Sequence, residues 1–220
     1  MNHFQQHTHT KEQAPETEGN VLHSARSYDF LTGWMLKSSE ESIRIQSQIQ
    51  PGNKVLDVGC GSGRLTLAAQ KWVGQQGEVV GLDASPEMIQ VARQKATRTG
   101  LAAKFEVGVV EAMPFPDGSF DVVLNRLILH HLPGDLKLRG LAEMRRVLKP
   151  VGICLVVDFE SPKSGFLHIV VQNHMAAMVD IDVRNYVPLL EQAGFVDVIT
   201  GKTGSKLLSY VRGRVAEAAA

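Results

Sequence analysis

The sequence predicts a doubly wound α/β domain with seven strands, and three observations carry that reading. Short apolar runs of strand length alternate with amphipathic stretches of helical period. Glycine or proline punctuates the joins, as at Pro51-Gly52, Pro150 and Gly194. The last two strand-like runs follow one another across Gly201 to Ser205 with no helix between them. Strands separated by helices pair in parallel with helices on both faces, so the sheet should be mostly parallel and end in an antiparallel hairpin.

Taken in order, residues 1–20 are polar, with His3, His7, His9 and the Gln5-Gln6 pair, and hold too little apolar surface to order themselves. They read as a disordered tail. Residues 21–50 read as a helical cap, with Leu31, Met35 and Leu36 on one face and Ile43, Ile45 and Ile49 following. The main domain is expected from residue 51 to residue 220. Lys54 to Val58 reads as its first strand and Arg64 to Trp72 as a helix. Glu78 to Leu82 is the next strand. The helix after it should start at Ser85-Pro86, an N-cap followed by proline at the first helical position, with Met88, Ile89, Ala92 and Ala96 as its apolar stripe. Ala103 to Val107 and Phe120 to Leu124 are further strands. Leu138, Leu141, Met144 and Leu148 mark a helix that must stop before Pro150. Ile153 to Val157 reads as a strand, a helix then ends near Ala193 with Gly194 as its stop, and Phe195 to Ile199 and Leu207 to Val211 complete the sheet. Residues 160–182, with His168, His174, Met175 and Met178 among aliphatics, are the expected substrate cover. Ligands of such sheets bind beyond the carboxyl ends of the strands.

Lys plus Arg number 23 and Asp plus Glu number 23, so the balance does not point to nucleic acid or an anionic membrane surface as partner. No apolar run approaches the ~18 residues that a membrane span needs. With no basic-then-apolar leader at its N-terminus, the chain reads as cytoplasmic, acting on a small molecule and leaving a homo-oligomer open. Cys60 and Cys154 sit in apolar, strand-like contexts without metal-ligand spacing, which predicts two buried, reduced thiols and no metal site.

The chemistry concentrates in Val55-Leu56-Asp57-Val58-Gly59-Cys60-Gly61-Ser62-Gly63. An apolar strand ends in an acid, and a glycine-rich turn then opens a helix, letting a ligand approach the backbone. The nicotinamide fingerprint requires glycine at the sixth position of such a turn, where this chain has Arg64, so an oxidoreductase of that kind is disfavoured.

The arrangement resembles motif I of the class I S-adenosylmethionine-dependent methyltransferases, and the resemblance runs from about Val55 to Asp158. Gly81-Leu82-Asp83-Ala84-Ser85-Pro86-Glu87-Met88 is similar to the family's second cofactor segment. The stretch Glu111 to Asp121 is similar to its adenine-side loop, and Leu129-His130-His131-Leu132 and Val147-Leu148-Lys149-Pro150 follow in order. Within the class, the chain most resembles the ubiquinone and menaquinone biosynthesis methyltransferases, a likeness that Tyr28-Asp29 supports. The resemblance implies a Rossmann-like fold and S-adenosyl-L-methionine as cofactor. It implies that Asp57 accepts hydrogen bonds from the glycine loop and helps hold the methionine amino group, with Gly59 and Gly61 beside the same part. Asp83 would accept the ribose hydroxyls, with Ala84 beside it. Met88 would pack on adenine, and Tyr28 with His23 would close over the cofactor.

Two positions depart from the family. Val109 stands where an acid often accepts the adenine amine, which shifts that role toward Glu111 while the Val110 amide meets a ring nitrogen. Val151 stands where glycine usually follows Lys-Pro; a β-branched residue disfavours positive φ, so the turn there should be of a different type.

Methyl transfer requires alignment of a nucleophile and, for a hydroxyl or acidic carbon, removal of a proton. Asn125 and Arg126 lie at the end of the fourth strand, with Asn125 expected near the sulfonium. His130 and His131 are the candidates for base or positioning group. Asn125-Arg126-Leu127-Ile128 replaces the segment typical of nucleic-acid base methylation. The expectation is therefore O- or C-methylation of a small apolar or aromatic molecule. The alternative is a cofactor-binding protein without catalysis, serving as a regulator or partner subunit.

Overall fold

The computed structural model describes residues 15, 17, 39–160 and 182–217. Tyr28, His23, the tail histidines and almost all of the expected cover at 160–182 lie outside the described residues. Among the latter, residues 39–47 form helix α1. There follow β1 (Lys54–Val58), α2 (Arg64–Val73), β2 (Glu78–Asp83), α3 (Pro86–Thr99), β3 (Lys104–Val107) and β4 (Phe120–Arg126). A 3-10 turn (Leu129–His131) leads into α4 (Gly134–Val147) and β5 (Leu148–Phe159); α5 (Val187–Gln192), β6 (Val196–Lys202) and β7 (Leu208–Arg214) complete the order.

The seven strands run β3-β2-β1-β4-β5-β7-β6 across one sheet. The first five are mutually parallel, and β7 lies antiparallel between β5 and β6. The predicted terminal hairpin is therefore real, with the last strand inserted inside the edge. Strand order reverses direction at β1, whose neighbours are β2 and β4, and this is where a crevice opens above such a sheet.

Both faces are buried, as parallel pairing demands. On one side Leu56, Val58 and Val123 pack with Leu136, Leu141, Met144 and Val147 of α4. On the other, Val55, Val79 and Val122 meet Leu65, Ala69 and Val73 of α2 and Ile43 of α1. Ser85 caps α3 as expected, its hydroxyl accepting from the Met88 amide at 3.3 Å with Pro86 at the first position. Met88, Ile89, Ala92 and Ala96 are its buried stripe. In α4 the buried face is Leu136, Gly140, Leu141, Met144 and Val147. Leu141 and Met144 of the predicted stripe hold, whereas Leu138 is only half-buried, with Leu136 filling the face in its place, and Leu148 already belongs to β5. Both cysteines are free and buried, and burial pushes the Cys154 thiol up to about 12.

The turn at Lys149 to Gly152 corrects a second expectation. Val151 adopts the left-handed region at φ 57° despite its β-branch. The backbone there is constrained from both sides. Lys149 pairs with Asp121 at 2.6 Å, Asp121 also accepts the Lys54 amide at 2.7 Å, and the Gly152 carbonyl accepts from Val215 at 2.9 Å. A Cβ on residue 152 would meet the Lys149 carbonyl at 2.8 Å, so glycine is needed there and residue 151 takes the strain. Its side chain is 47% exposed, so little packing opposes the twist. Such a conformation costs about 1–2 kcal/mol in an L-residue, and glycine returns roughly half of that as chain entropy. Val151→Gly is therefore expected to stabilise the protein by about 0.5–1 kcal/mol, read as a rise in the urea midpoint; an unchanged or lower midpoint contradicts the account.

Candidate active site

A cavity of about 1000 Å³ of empty space, partly open to solvent, lies beyond the carboxyl ends of β1, β2 and β4. Its polar rim is Asp57, Gly59, Cys60, Gly61, Asp83, Ala84 and Glu111; Leu65, Met88, Val110, Leu127, Ile128 and Leu132 supply apolar wall, and Arg126 and His131 also face it.

The glycine loop is held by the strand beside it. The Gly59 and Cys60 amides donate to the Leu82 carbonyl at 2.7 and 3.0 Å, and the Gly61 amide donates to the Asp83 carboxylate at 2.7 Å. Gly59, Gly61 and Gly63 all have positive φ. They do different work. A Cβ on Gly61 would meet nothing, so its backbone faces open space, whereas one on Gly63 would strike Ala92 and Phe105 at 2.8 Å. Gly63 thus lets the loop pack on α3 and β3, and Ile128 covers Gly59.

The two strand-end acids divide the work differently from the sequence expectation. Asp57 does not hold the glycine loop through any bond seen here: its carboxylate accepts from the Thr66 hydroxyl on α2 at 2.6 Å and is 1% exposed. Register explains this. Val58 pairs with Leu82, so Asp83 lies level with the loop and Asp57 lies deeper, facing α2. Asp83 accepts from the Gly61 and Ser85 amides and so joins the loop to the start of α3. Burial pushes the Asp57 carboxyl up to about 6, with Thr66 and Arg126 opposing it, and burial likewise raises Asp83 against its two amide donors.

Glu111 is the third acid. One carboxyl oxygen accepts from the Thr17 hydroxyl at 2.7 Å; the other is buried with no hydrogen-bond partner among the described residues. Thr17 therefore touches the cavity, although it falls in the stretch read as a disordered tail. A buried acceptor without a donor costs about 1–3 kcal/mol, which makes this oxygen a natural site for a ligand N–H.

The expected cofactor residues Asp57, Gly59, Gly61, Asp83, Ala84, Met88, Val110 and Glu111 all line this one cavity. Asn125 does not. It is 1% exposed, its amide donates to the Val58 carbonyl at 3.1 Å, and its own oxygen is buried without a partner among the described residues. Strand alternation gives Arg126 the opposite face from Asn125, which pairs with Val58 across β1–β4, so Arg126 reaches the cavity; Leu127, past the end of β4, also lines it.

The two histidines separate. His131 lines the cavity, and burial together with the neighbouring His130 lowers its imidazole to about 4, so it is neutral at pH 7. His130 turns away, its side chain 4% exposed and its Nδ1 on the Asp158 carboxylate at 2.7 Å. Asp158 and Tyr186, whose hydroxyl donates to Asp158 at 3.2 Å, were not singled out from the sequence. The terminal acid of an otherwise apolar strand, Val156-Val157-Asp158, was the signal for the first. Nothing local marked Tyr186.

A profile for the methyltransferase domain matches residues 49–194. A Marinomonas sp. protein named ubiquinone/menaquinone biosynthesis C-methyltransferase UbiE is 36% identical over 154 residues, 67% of this chain and 61% of its own length. The chain thus spans about three fifths of that relative. A Shewanella piezotolerans protein of the same name is 32% identical over 203 residues, 86% of this chain and 80% of its own. The fold matches a SAM dependent methyltransferase from Aquifex aeolicus with TM-score 0.71 and 22% identity, over 89% of this chain and all of the other. It also matches the [4+2]-cyclase SpnF with TM-score 0.66 and 18% identity, over 90% of this chain and 86% of that one, so the fold alone does not fix the reaction.

Asp57 supplies a prediction independent of any ligand. Its carboxyl is raised from 3.8 to about 6 on folding, so folding favours the protonated form. The resulting penalty is absent below about pH 4 and complete above about pH 6. Asp57→Asn is expected to stabilise the ligand-free protein by on the order of 2 kcal/mol at pH 8 and by nothing at pH 4. Denaturant melts at the two pH values check this; equal effects at both would remove the buried-charge account.

Proposed function

The chain belongs to the class I S-adenosylmethionine-dependent methyltransferase family, near its ubiquinone/menaquinone-biosynthesis members, and from that premise we propose that it methylates a small apolar or aromatic acceptor seated against His131. The observation that carries this reading is the shape of the cavity beyond β1, β2 and β4. Three carboxylates and a glycine loop line one part, an aliphatic wall lines another, and a neutral imidazole faces the same space.

The residues present suit the cofactor. Asp57 and Asp83, whose carboxyls burial raises, and a Glu111 oxygen with no hydrogen-bond partner among the described residues all gain from a ligand that brings an ammonium, vicinal hydroxyls and an exocyclic amine. Asp57 with Gly59 and Gly61 would hold the methionine part, Asp83 the ribose, and Met88, Val110 and Glu111 the adenine. Glu111 thereby takes the place left by Val109. When bound, S-adenosylmethionine supplies a methyl group on a positively charged sulfur, open to in-line displacement.

The chain's own part is to align the acceptor and to manage its proton. Leu65, Leu127, Ile128 and Leu132 keep water from the space beside His131. A neutral imidazole accepts a hydrogen bond from an acceptor hydroxyl and increases electron density on the attached ring. Lowered to about 4, the His131 imidazole accepts a hydrogen bond from an acceptor hydroxyl without taking its proton outright, which suits an already electron-rich ring such as a phenol or hydroquinone. The names carried by the relatives support methylation at carbon and a quinol-type acceptor.

Calorimetry is expected to show uptake of S-adenosylmethionine and of S-adenosylhomocysteine, with affinity falling below about pH 6 as Asp57 takes up a proton. Asp83→Ala should weaken binding by about 1.5–3 kcal/mol; unchanged affinity removes the ribose assignment. Turnover is read as transfer of a labelled methyl group to 1,4-naphthoquinol and to simple phenols. Methylated product supports the enzyme, whereas tight cofactor binding with no product on any member of the panel favours the binding protein without catalysis.

A further inference from the structure

Asp158 is a buried carboxylate outside the cavity, and the cofactor assignment does not use it. It ends the apolar run of β5, is 0% exposed, and receives four donors. The His130 ring Nδ1 lies 2.7 Å from Oδ1, which also accepts the Phe159 amide at 2.8 Å. Oδ2 accepts the His130 amide at 3.3 Å and the Tyr186 hydroxyl at 3.2 Å. A carboxylate so placed is costly to bury, and the 3-10 turn it supports would need only one amide acceptor. Of the other three donors, one is the His130 ring. Because the carboxylate oxygens act as acceptors here, the Nδ1 facing them carries the hydrogen, which fixes both the tautomer and the plane of His130.

The ring so fixed is in contact with the one that faces the cavity. The His130 and His131 centroids are 3.9 Å apart with planes at 44°, and Phe159 packs edge-on against His130 at 5.2 Å. His131 is itself only half-buried, and Leu132 behind it belongs to the core. We propose that Asp158, with Tyr186, is a positioning residue for the reaction: it locks the His130 ring, and that ring sets the orientation in which His131 meets the methyl acceptor. The proposal rests on the reading that the acceptor sits against His131.

The test uses the full chain with S-adenosylhomocysteine bound and ¹⁵N-labelled histidines. Wild-type protein should show His130 as a single Nδ1–H tautomer, and Asp158→Asn should lose it and move the His131 ring signals. Turnover of 1,4-naphthoquinol should fall about 10- to 100-fold in kcat for Asp158→Asn and for His131→Ala, with S-adenosylhomocysteine affinity within about twofold of wild type. In the His131→Ala background, Asp158→Asn should cost less than about twofold more, because its effect passes through the missing ring. Unmoved His131 signals in Asp158→Asn, multiplying effects in the double variant, or cofactor affinity falling in step with kcat would each overturn the positioning role. Full turnover in His131→Ala would instead overturn the acceptor reading on which the role depends, whatever the spectra show. Should Asp158→Asn fail to fold, Tyr186→Phe removes one hydroxyl and keeps the ring; a displaced His131 signal with kcat reduced about 2- to 5-fold supports the lock, and an unmoved signal overturns it.

Discussion

The Asp83 carboxylate joins two pieces of chain that have no other reason to meet at this distance. One oxygen takes the Gly61 amide of the loop after β1, and the other takes the Ser85 amide at the start of α3. With the Gly59 and Cys60 amides on the Leu82 carbonyl, the glycine loop is suspended from the end of β2. The cavity depends on that suspension, because it keeps the loop from collapsing toward β4 and leaves Gly61 facing open space. The parallel register of β1 and β2 is the constraint beneath it, since it brings Asp83, and not Asp57, level with the loop.

That geometry has an electrostatic consequence. Two carboxylates approach the same small volume with few donors, and burial raises both. A protein selected for ligand-free stability would replace one of them with a neutral group. Their retention fits a site that recovers the cost when a cationic, hydroxyl-rich ligand arrives, which is the usual relation between strain at a site and binding. The Glu111 oxygen that has no hydrogen-bond partner among the described residues belongs to the same pattern.

The chemistry beyond the cofactor residues is divided between two strand ends. β4 delivers Arg126 and then bends through Leu127, whose φ of 60° turns the chain so that Ile128 covers Gly59 and the 3-10 turn places His131 at the wall. β5 delivers Asp158, which reaches the same turn from behind. Paired strands therefore act on one short segment from opposite sides, one supplying its path and the other its anchor. No described helix is long and apolar enough to cross a membrane.

The sequence by itself determined the layered architecture and brought out Asp57, Gly59, Gly61, Asp83, Ala84, Met88, Val110, Glu111 and His131, which the fold gathers around one cavity. Strand and helix periods are local, and the acid–glycine–glycine spacing at Asp57 to Gly63 and the Ser85-Pro86 cap are written within a few residues. Where the reading missed, the missing term was nonlocal. The partner of Asp57 is Thr66, because β1 register sinks that carboxylate toward α2. Asn125 points into the core and Arg126 toward the cavity, because pairing with β1 sets the alternation of β4. Val151 is left-handed, because Asp121, Gly152 and Val215 fix its neighbours from other strands. The roles of His130 and His131 are invisible in a dipeptide of identical residues. Only tertiary structure distinguishes them, by bringing Asp158 and Tyr186 from distant parts of the chain to one ring and leaving the other to face the cavity.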